Sequence, residues 1–335
     1  MSAPAAFSED FVSVYRGWYE YVKQEAGWVR AKWILINDLS RSAVAPRSFS
    51  SAADVRRALE SLLLRAPDAA SRRRIEQSLF YLNQKADEPV SREAVLRRGL
   101  PWRAVSDREL SSSDERYKAL RRDILSRGVL TEEGVDARYL RRPGEPGVAR
   151  QIQELGHDML SRFNARFSGL APAPFETEET SSPAAWANMV TYEGDAIKLL
   201  VNRGEIVHYA YGWRGFLALH EIGGHVLHFT QLLKHAVLRG AQPHALCLAI
   251  HTEDSYFIEG VAQFLTTLFA DRLTEGPTPL HLDVARYELS FALRHKNLTE
   301  LIEGRITIAE AAQRHQTYLG DEPGAMRRFY EALLR

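Results

Sequence analysis

Ile206-Val207-His208-Tyr209-Ala210-Tyr211-Gly212-Trp213-Arg214-Gly215-Phe216-Leu217-Ala218-Leu219-His220-Glu221-Ile222-Gly223-Gly224-His225 changes period within twenty residues. Its first six residues are β-branched, aromatic or small and read as a strand. The apolar positions Phe216, Leu219 and Leu227 then recur at helical spacing. Two further short β-type runs precede it, Met189 to Tyr192 and Ala196 to Val201, with turn-like breaks at Glu193-Gly194-Asp195 and Arg203-Gly204-Glu205. Three antiparallel strands leading into a helix are the simplest reading. Beyond them, helices are expected from about Asp254 to Leu273, from Val284 to Leu293 and from Ile308 to His315.

Upstream, from Phe11 to about Leu170, apolar residues recur at helical spacing, as in Val55, Leu59, Leu62, Leu63 and in Ile75, Leu79, Leu82. Ser91-Arg92-Glu93 and Ser113-Asp114-Glu115 look like helix starts. The segment 171–186 carries Pro172, Pro174, Pro183 and several Glu, Thr and Ser residues, so it reads as an exposed connection. The expected architecture is mainly α with a small antiparallel β-sheet. A helical region over 1–170, the connection, and a catalytic region over 187–335 make up the chain.

At 335 residues and 45 % hydrophobic, the chain can bury a sizeable core. Lys plus Arg and Asp plus Glu each total 43, so no net field gathers nucleic acid or anionic membrane. The expectation is neither a nucleic-acid nor a membrane partner. Arg72-Arg73-Arg74 and Arg141-Arg142 are short enough to be solvated helix faces. The start, Met1 to Asp10, lacks the basic and apolar regions of a secretory signal, and Cys247 is the single cysteine. A cytoplasmic location is the expectation, with Cys247 in the core.

The chemistry is concentrated in His220-Glu221-Ile222-Gly223-Gly224-His225. In a regular helix, residues five apart lie about 500° on, roughly 140° around the axis, so the two imidazoles would diverge. A π-type bulge brings them together, and such bulges occur at functional sites. The glycine pair costs about 2 kcal/mol relative to alanine inside a helix, a local rule broken where a site would require it. With 11 His and 28 Glu in the chain, chance supplies roughly 0.03 occurrences of His-Glu-x-x-x-His.

Two histidines suggest zinc, which needs a third protein ligand and an open position for water. Glu259, followed by the small residues Gly260 and Ala262, is the favoured third ligand. Glu253 and Asp254 compete but already suit a helix start. Glu221 is then the base that takes a proton from the attacking water and passes it to the leaving nitrogen. Tyr256, Tyr287 and Arg294 are candidates to stabilise the developing oxyanion, with His295 and Tyr318 behind them. Gln263 shares a helical face with Glu259 and could hold a ligand histidine. His228 and His251 each admit several roles.

These residues resemble a known group. His220 to Leu227, the later Gln242-Pro243, and Glu259-Gly260-Val261-Ala262 look like the His-Glu-x-x-x-His tyrosine carboxypeptidases typified by the microtubule-associated enzyme and its bacterial relatives. Dipeptidyl peptidase III shares the His-Glu-x-x-Gly-His spacing. The resemblance covers Ile206 to Gln263 and implies a zincin-like, gluzincin-type domain in which His220, His225 and Glu259 bind zinc and Glu221 is the base. Ile258 and Val261 depart from the usual residues, so substrate specificity does not carry over. The expected activity is zinc-dependent hydrolysis of a peptide or amide bond, carboxypeptidase-like. The alternatives are a biosynthetic hydrolase of a small amide or ester, a di-iron oxidase built on Glu154-x-x-His157 and Glu205-x-x-His208, or a binding protein without catalysis.

Overall fold

A computed structural model describes residues 3–31, 36–40, 42–85, 104–139, 147–166, 175–180, 188–193, 196–202, 212–249, 251–273 and 276–334. The fold is mainly α-helical with little β-structure. The first half holds α1 (Ala3–Ala31), the short β1 (Ile36–Asp38), α2 (Ala52–Leu64), α3 (Ala69–Lys85), α4 (Asp107–Ser126), α5 (Glu132–Tyr139) and α6 (Val148–Arg166). Then come β2 (Phe175–Thr180), β3 (Asn188–Glu193) and β4 (Ala196–Asn202). The helix α7 (Gly212–Leu217) runs into a π-helix (Ala218–Val226) and on into α8 (Leu227–Arg239). A 3-10 turn (Pro243–Leu246), β5 (Cys247–Ala249), α9 (Glu253–Leu273), α10 (Pro279–Ile302), α11 (Ile308–Leu319) and α12 (Pro323–Leu334) complete it.

The chain divides into two compact units, each assembled from separated segments. The first comprises Met1–Pro101, Arg141–Ala210 and Leu217–Phe269; the second comprises Trp102–Leu140, Tyr211–Phe216 and Ala270–Arg335. In the first, Phe7, Phe11, Tyr15 and Trp18 recur every three or four residues along α1 and are buried against Val55, Leu59 and Leu62 of α2 and Ile75 of α3. Phe11 and Tyr15 stack with ring centroids 4.2 Å apart. Each such side chain stabilises the fold by about 1.5–3 kcal/mol through removal from water. Cys247 is buried in this core, paired in β5 with Asp38 of β1.

In the second unit, Leu110, Tyr117 and Ile124 of α4, spaced by sevens, meet Leu282, Leu289 and Leu293 of α10. α4 begins in a capping box: the Ser106 hydroxyl accepts from the Glu109 N–H while the Glu109 carboxylate accepts from the Ser106 N–H. The start expected at Ser113 is therefore corrected, because Ser113-Asp114-Glu115 lies inside this helix. The start expected at Ser91 lies outside the described residues.

The sheet is mixed, in the order β2-β4-β3. β3 and β4 pair antiparallel from Asn188↔Val201 to Glu193↔Ala196, as their alternation predicts. β2 pairs parallel to β4, from Phe175↔Ile197 to Thr180↔Asn202. That corrects the all-antiparallel expectation and the reading of Phe175–Thr180 as connection. Phe175, Thr177 and Glu179 turn partly inward while Glu176 and Glu178 face solvent. This is a period-two pattern hidden by flanking prolines, and its outward carboxylates suit an edge strand. The expected strand Ile206 to Tyr211 lies outside the described residues.

Candidate metal centre

His220 and His225 sit on the π-helix Ala218–Val226, all nine residues of which are buried. A π-helix bonds residue i to i+5, so side chains five apart come onto one side, as an α-helix would not allow. The two imidazole centroids lie 4.8 Å apart with planes at 86°. Packing holds this segment in place. A Cβ on Gly156 of α6 would meet the Ile222 Cδ1 at 2.1 Å, and a Cβ on Gly224 would meet Ala262 of α9 at 2.7 Å. The bare backbones of Gly156 and Gly224 are what let the neighbouring helices approach.

That approach delivers Glu259, one turn before Ala262 on α9. Its Oε2 lies 3.2 Å from the His220 Nε2 and its Oε1 3.5 Å from the His225 Nε2. Three ligand atoms, one from each residue, fall within 4.8 Å of one another. Bonds of ~2.0–2.1 Å at tetrahedral angles put ligand atoms about 3.3 Å apart, so the carboxylate-to-imidazole spacings fit a zinc ion. The Glu259 side chain is 53 % exposed, which leaves one side of the centre open. The competitors are engaged elsewhere: Asp254 pairs with Arg74 at 2.8 Å and Glu253 with Arg73 at 3.4 Å.

Glu221 is buried next to His220, and the Val190 N–H of β3 donates to its carboxylate. Burial pushes the Glu221 carboxyl up; His225, His220 and the Val190 N–H pull it down, and the net shift is upward. Desolvation also works against charge on Glu259 and His225, yet their mutual attraction wins. Glu259 is held well below the usual carboxylate range, and the His225 imidazole is raised. Two carboxylates focused on two imidazoles favour positive charge at their centre. A divalent cation answers that field, and a carboxyl raised by burial is a stronger proton acceptor than an exposed one.

His228 is buried, its ring edge-on to Phe257 at 5.6 Å. Among the described residues Gln263 holds no ligand histidine: its Nε2 is buried without a hydrogen-bond partner there, as is the Nδ1 of His225. The ring of His225 is held from its other nitrogen, Nε2, by the Glu259 carboxylate. Tyr256 lies on α9, three residues before Glu259, with its side chain outside the described residues. Tyr287 and Arg294 belong to the second unit, where Tyr287 stacks on Phe216 at 3.9 Å and Arg294 lies 4.9 Å over Phe329. Of the alternative iron ligands, Glu154 pairs with Arg150 and His157 stacks on Phe175, while Glu205 and His208 lie outside the described residues. The Val190 amide and Phe257 carried no signal in the sequence, since one is backbone and the other a single aromatic.

No protein-family model and no curated protein matches the chain. Among solved structures it is similar to the crystal structure of the putative lipoprotein from Colwellia psychrerythraea, with a TM-score of 0.56 and 14 % identity, covering 95 % of this chain. The chain spans 59 % of that neighbour's length. The likeness shows a shared fold and nothing of activity. Among the described residues no helix is long and apolar enough to cross a membrane.

Proposed function

We propose that this chain is a zinc-dependent hydrolase that cleaves a peptide or amide bond, carboxypeptidase-like in its reaction, with the substrate itself left to experiment. The observation that carries the reading is the convergence of His220, His225 and Glu259 within 4.8 Å, beside the buried carboxyl of Glu221. These three residues would hold the metal. Zinc, when bound, acidifies water and polarises a carbonyl. Glu221 takes one proton from the attacking water as the new C–O bond forms, and returns it to the nitrogen as the C–N bond breaks. The Val190 N–H fixes the carboxylate for both transfers.

A cytoplasmic setting is part of the reading, in keeping with a single buried thiol that has no disulfide partner. The test is metal analysis of the purified protein, then a screen of peptides with free or blocked termini. About one zinc per chain with cleavage that depends on a free C-terminus supports a carboxypeptidase. Zinc without cleavage of any peptide favours a small amide or ester as substrate. Iron with oxygen consumption contradicts the proposal.

A further inference from the structure

The row of imidazoles continues past His225. His228 follows three residues later, where α-helical geometry has resumed, so it lies one turn along the same side of the helix. It is only 8 % exposed, and its Nδ1 is shut away with no hydrogen-bond partner among the described residues. An orphaned buried polar atom is costly, and packing alone would be served better by an apolar residue. Phe257, two residues before Glu259, is 64 % exposed, and its ring meets His228 edge-on. The contact with His228 gives this exposed aromatic ring a role.

The orphaned nitrogen decides the tautomer. A proton on Nδ1 would make a buried donor with no acceptor, so the neutral ring carries its proton on Nε2, the nitrogen that is not shut away. His228 thereby carries an N–H donor one helical turn past the ligand His225. Hydrolysis draws on one, because negative charge grows on the carbonyl oxygen while the Glu259 carboxylate only accepts and the proton that Glu221 takes up is committed to the leaving nitrogen.

Resting on the hydrolase reading above, we propose that His228 is a catalytic residue that donates from Nε2 to the carbonyl oxygen of the scissile bond, with Phe257 as its positioning residue.

The probe is methylphosphonate, a small tetrahedral oxyanion, titrated by 31P NMR into the full chain loaded with zinc. Relative to wild type, His228→Phe is expected to weaken binding by about tenfold or more with zinc content unchanged. His228→Gln, which keeps an N–H, recovers part of the loss, and Phe257→Ala falls between. In the wild-type chain without zinc, imidazole 15N shifts are expected to report the Nε2–H tautomer of His228, a readout that needs neither metal nor folded variants. Equal binding by wild type and His228→Phe, loss of zinc from both His228 variants, or an Nδ1–H tautomer overturns the assignment and leaves the hydrolase reading standing. A wild-type chain that takes up no zinc overturns the hydrolase reading first and this donor role with it.

Discussion

Gly224 and Ala262 meet so closely that a methyl group on Gly224 would lie 2.7 Å from the Ala262 Cβ and 2.8 Å from its Cα. The π-helical segment with both histidines and the helix with Glu259 are therefore registered through backbone, which cannot yield as a side-chain tip can. Gly223 differs, since a methyl there would face only the Phe269 ring at 3.2 Å. Gly224→Ala is expected to destabilise the fold by about 1–3 kcal/mol, the strain outweighing the ~1 kcal/mol that alanine gains in a helix. Gly223→Ala should be close to neutral. Thermal melts of the two variants, with zinc content measured alongside, check this contrast.

The other close approach, Gly156 against Ile222, involves a side chain. Gly156→Ala is expected to lower stability by about 1–3 kcal/mol in the wild type and by less in an Ile222→Ala background, where the Cδ1 at 2.1 Å is gone although the Cβ at 2.9 Å remains. Denaturant unfolding of the four members of this cycle measures the coupling. Strict additivity would mean that α6 does not set the position of the metal-site segment through this contact.

How much of this was legible beforehand can be judged residue by residue. The His220-to-His225 spacing demands a π-type distortion as soon as the two rings are asked to meet, and helical period placed α9 and Glu259. Local signals failed where composition masked them. Phe175–Thr180 alternates as a strand should, but its acidic residues and the prolines that flank it belong equally to a linker. Ser113-Asp114-Glu115 looks like a helix start, whereas the reciprocal bonds of Ser106 and Glu109 form the actual one. The Gly224–Ala262 approach was out of reach for a different reason: it is a contact between segments about forty residues apart, and no local pattern records it.

His251 supplies a pH dependence. Its ring is enclosed by Trp18 and Tyr81, with centroids 4.9 and 5.0 Å away, and Nε2 lies 2.9 Å from the Ser78 hydroxyl. Burial depresses its pKa from 6.5 to about 3. The unfolded chain therefore binds this proton before the folded one does. The contribution to stability is complete above pH 6.5 and is lost progressively as pH falls toward 3. His251→Phe should flatten the stability profile between pH 6 and 4 by up to about 1.4 kcal/mol per pH unit relative to wild type. Urea unfolding of both proteins across that range reads the difference.

Glu221 touches the reacting water in the proposed chemistry but is not a ligand. Glu221→Gln is expected to retain zinc and to lose at least about 100-fold in rate, within the range a general base contributes. Comparable rates for the variant and wild type would remove the proton-transfer role. Loss of zinc would show instead that the carboxylate helps to hold the metal.

The most direct measurement is zinc K-edge absorption on the loaded protein, compared with Glu259→Gln. The account expects two imidazoles and one carboxylate at ~2.0–2.1 Å with a further oxygen completing the shell, and weakened zinc retention in the variant. A wild-type shell without two imidazoles, or a variant with an identical spectrum and identical affinity, would contradict it.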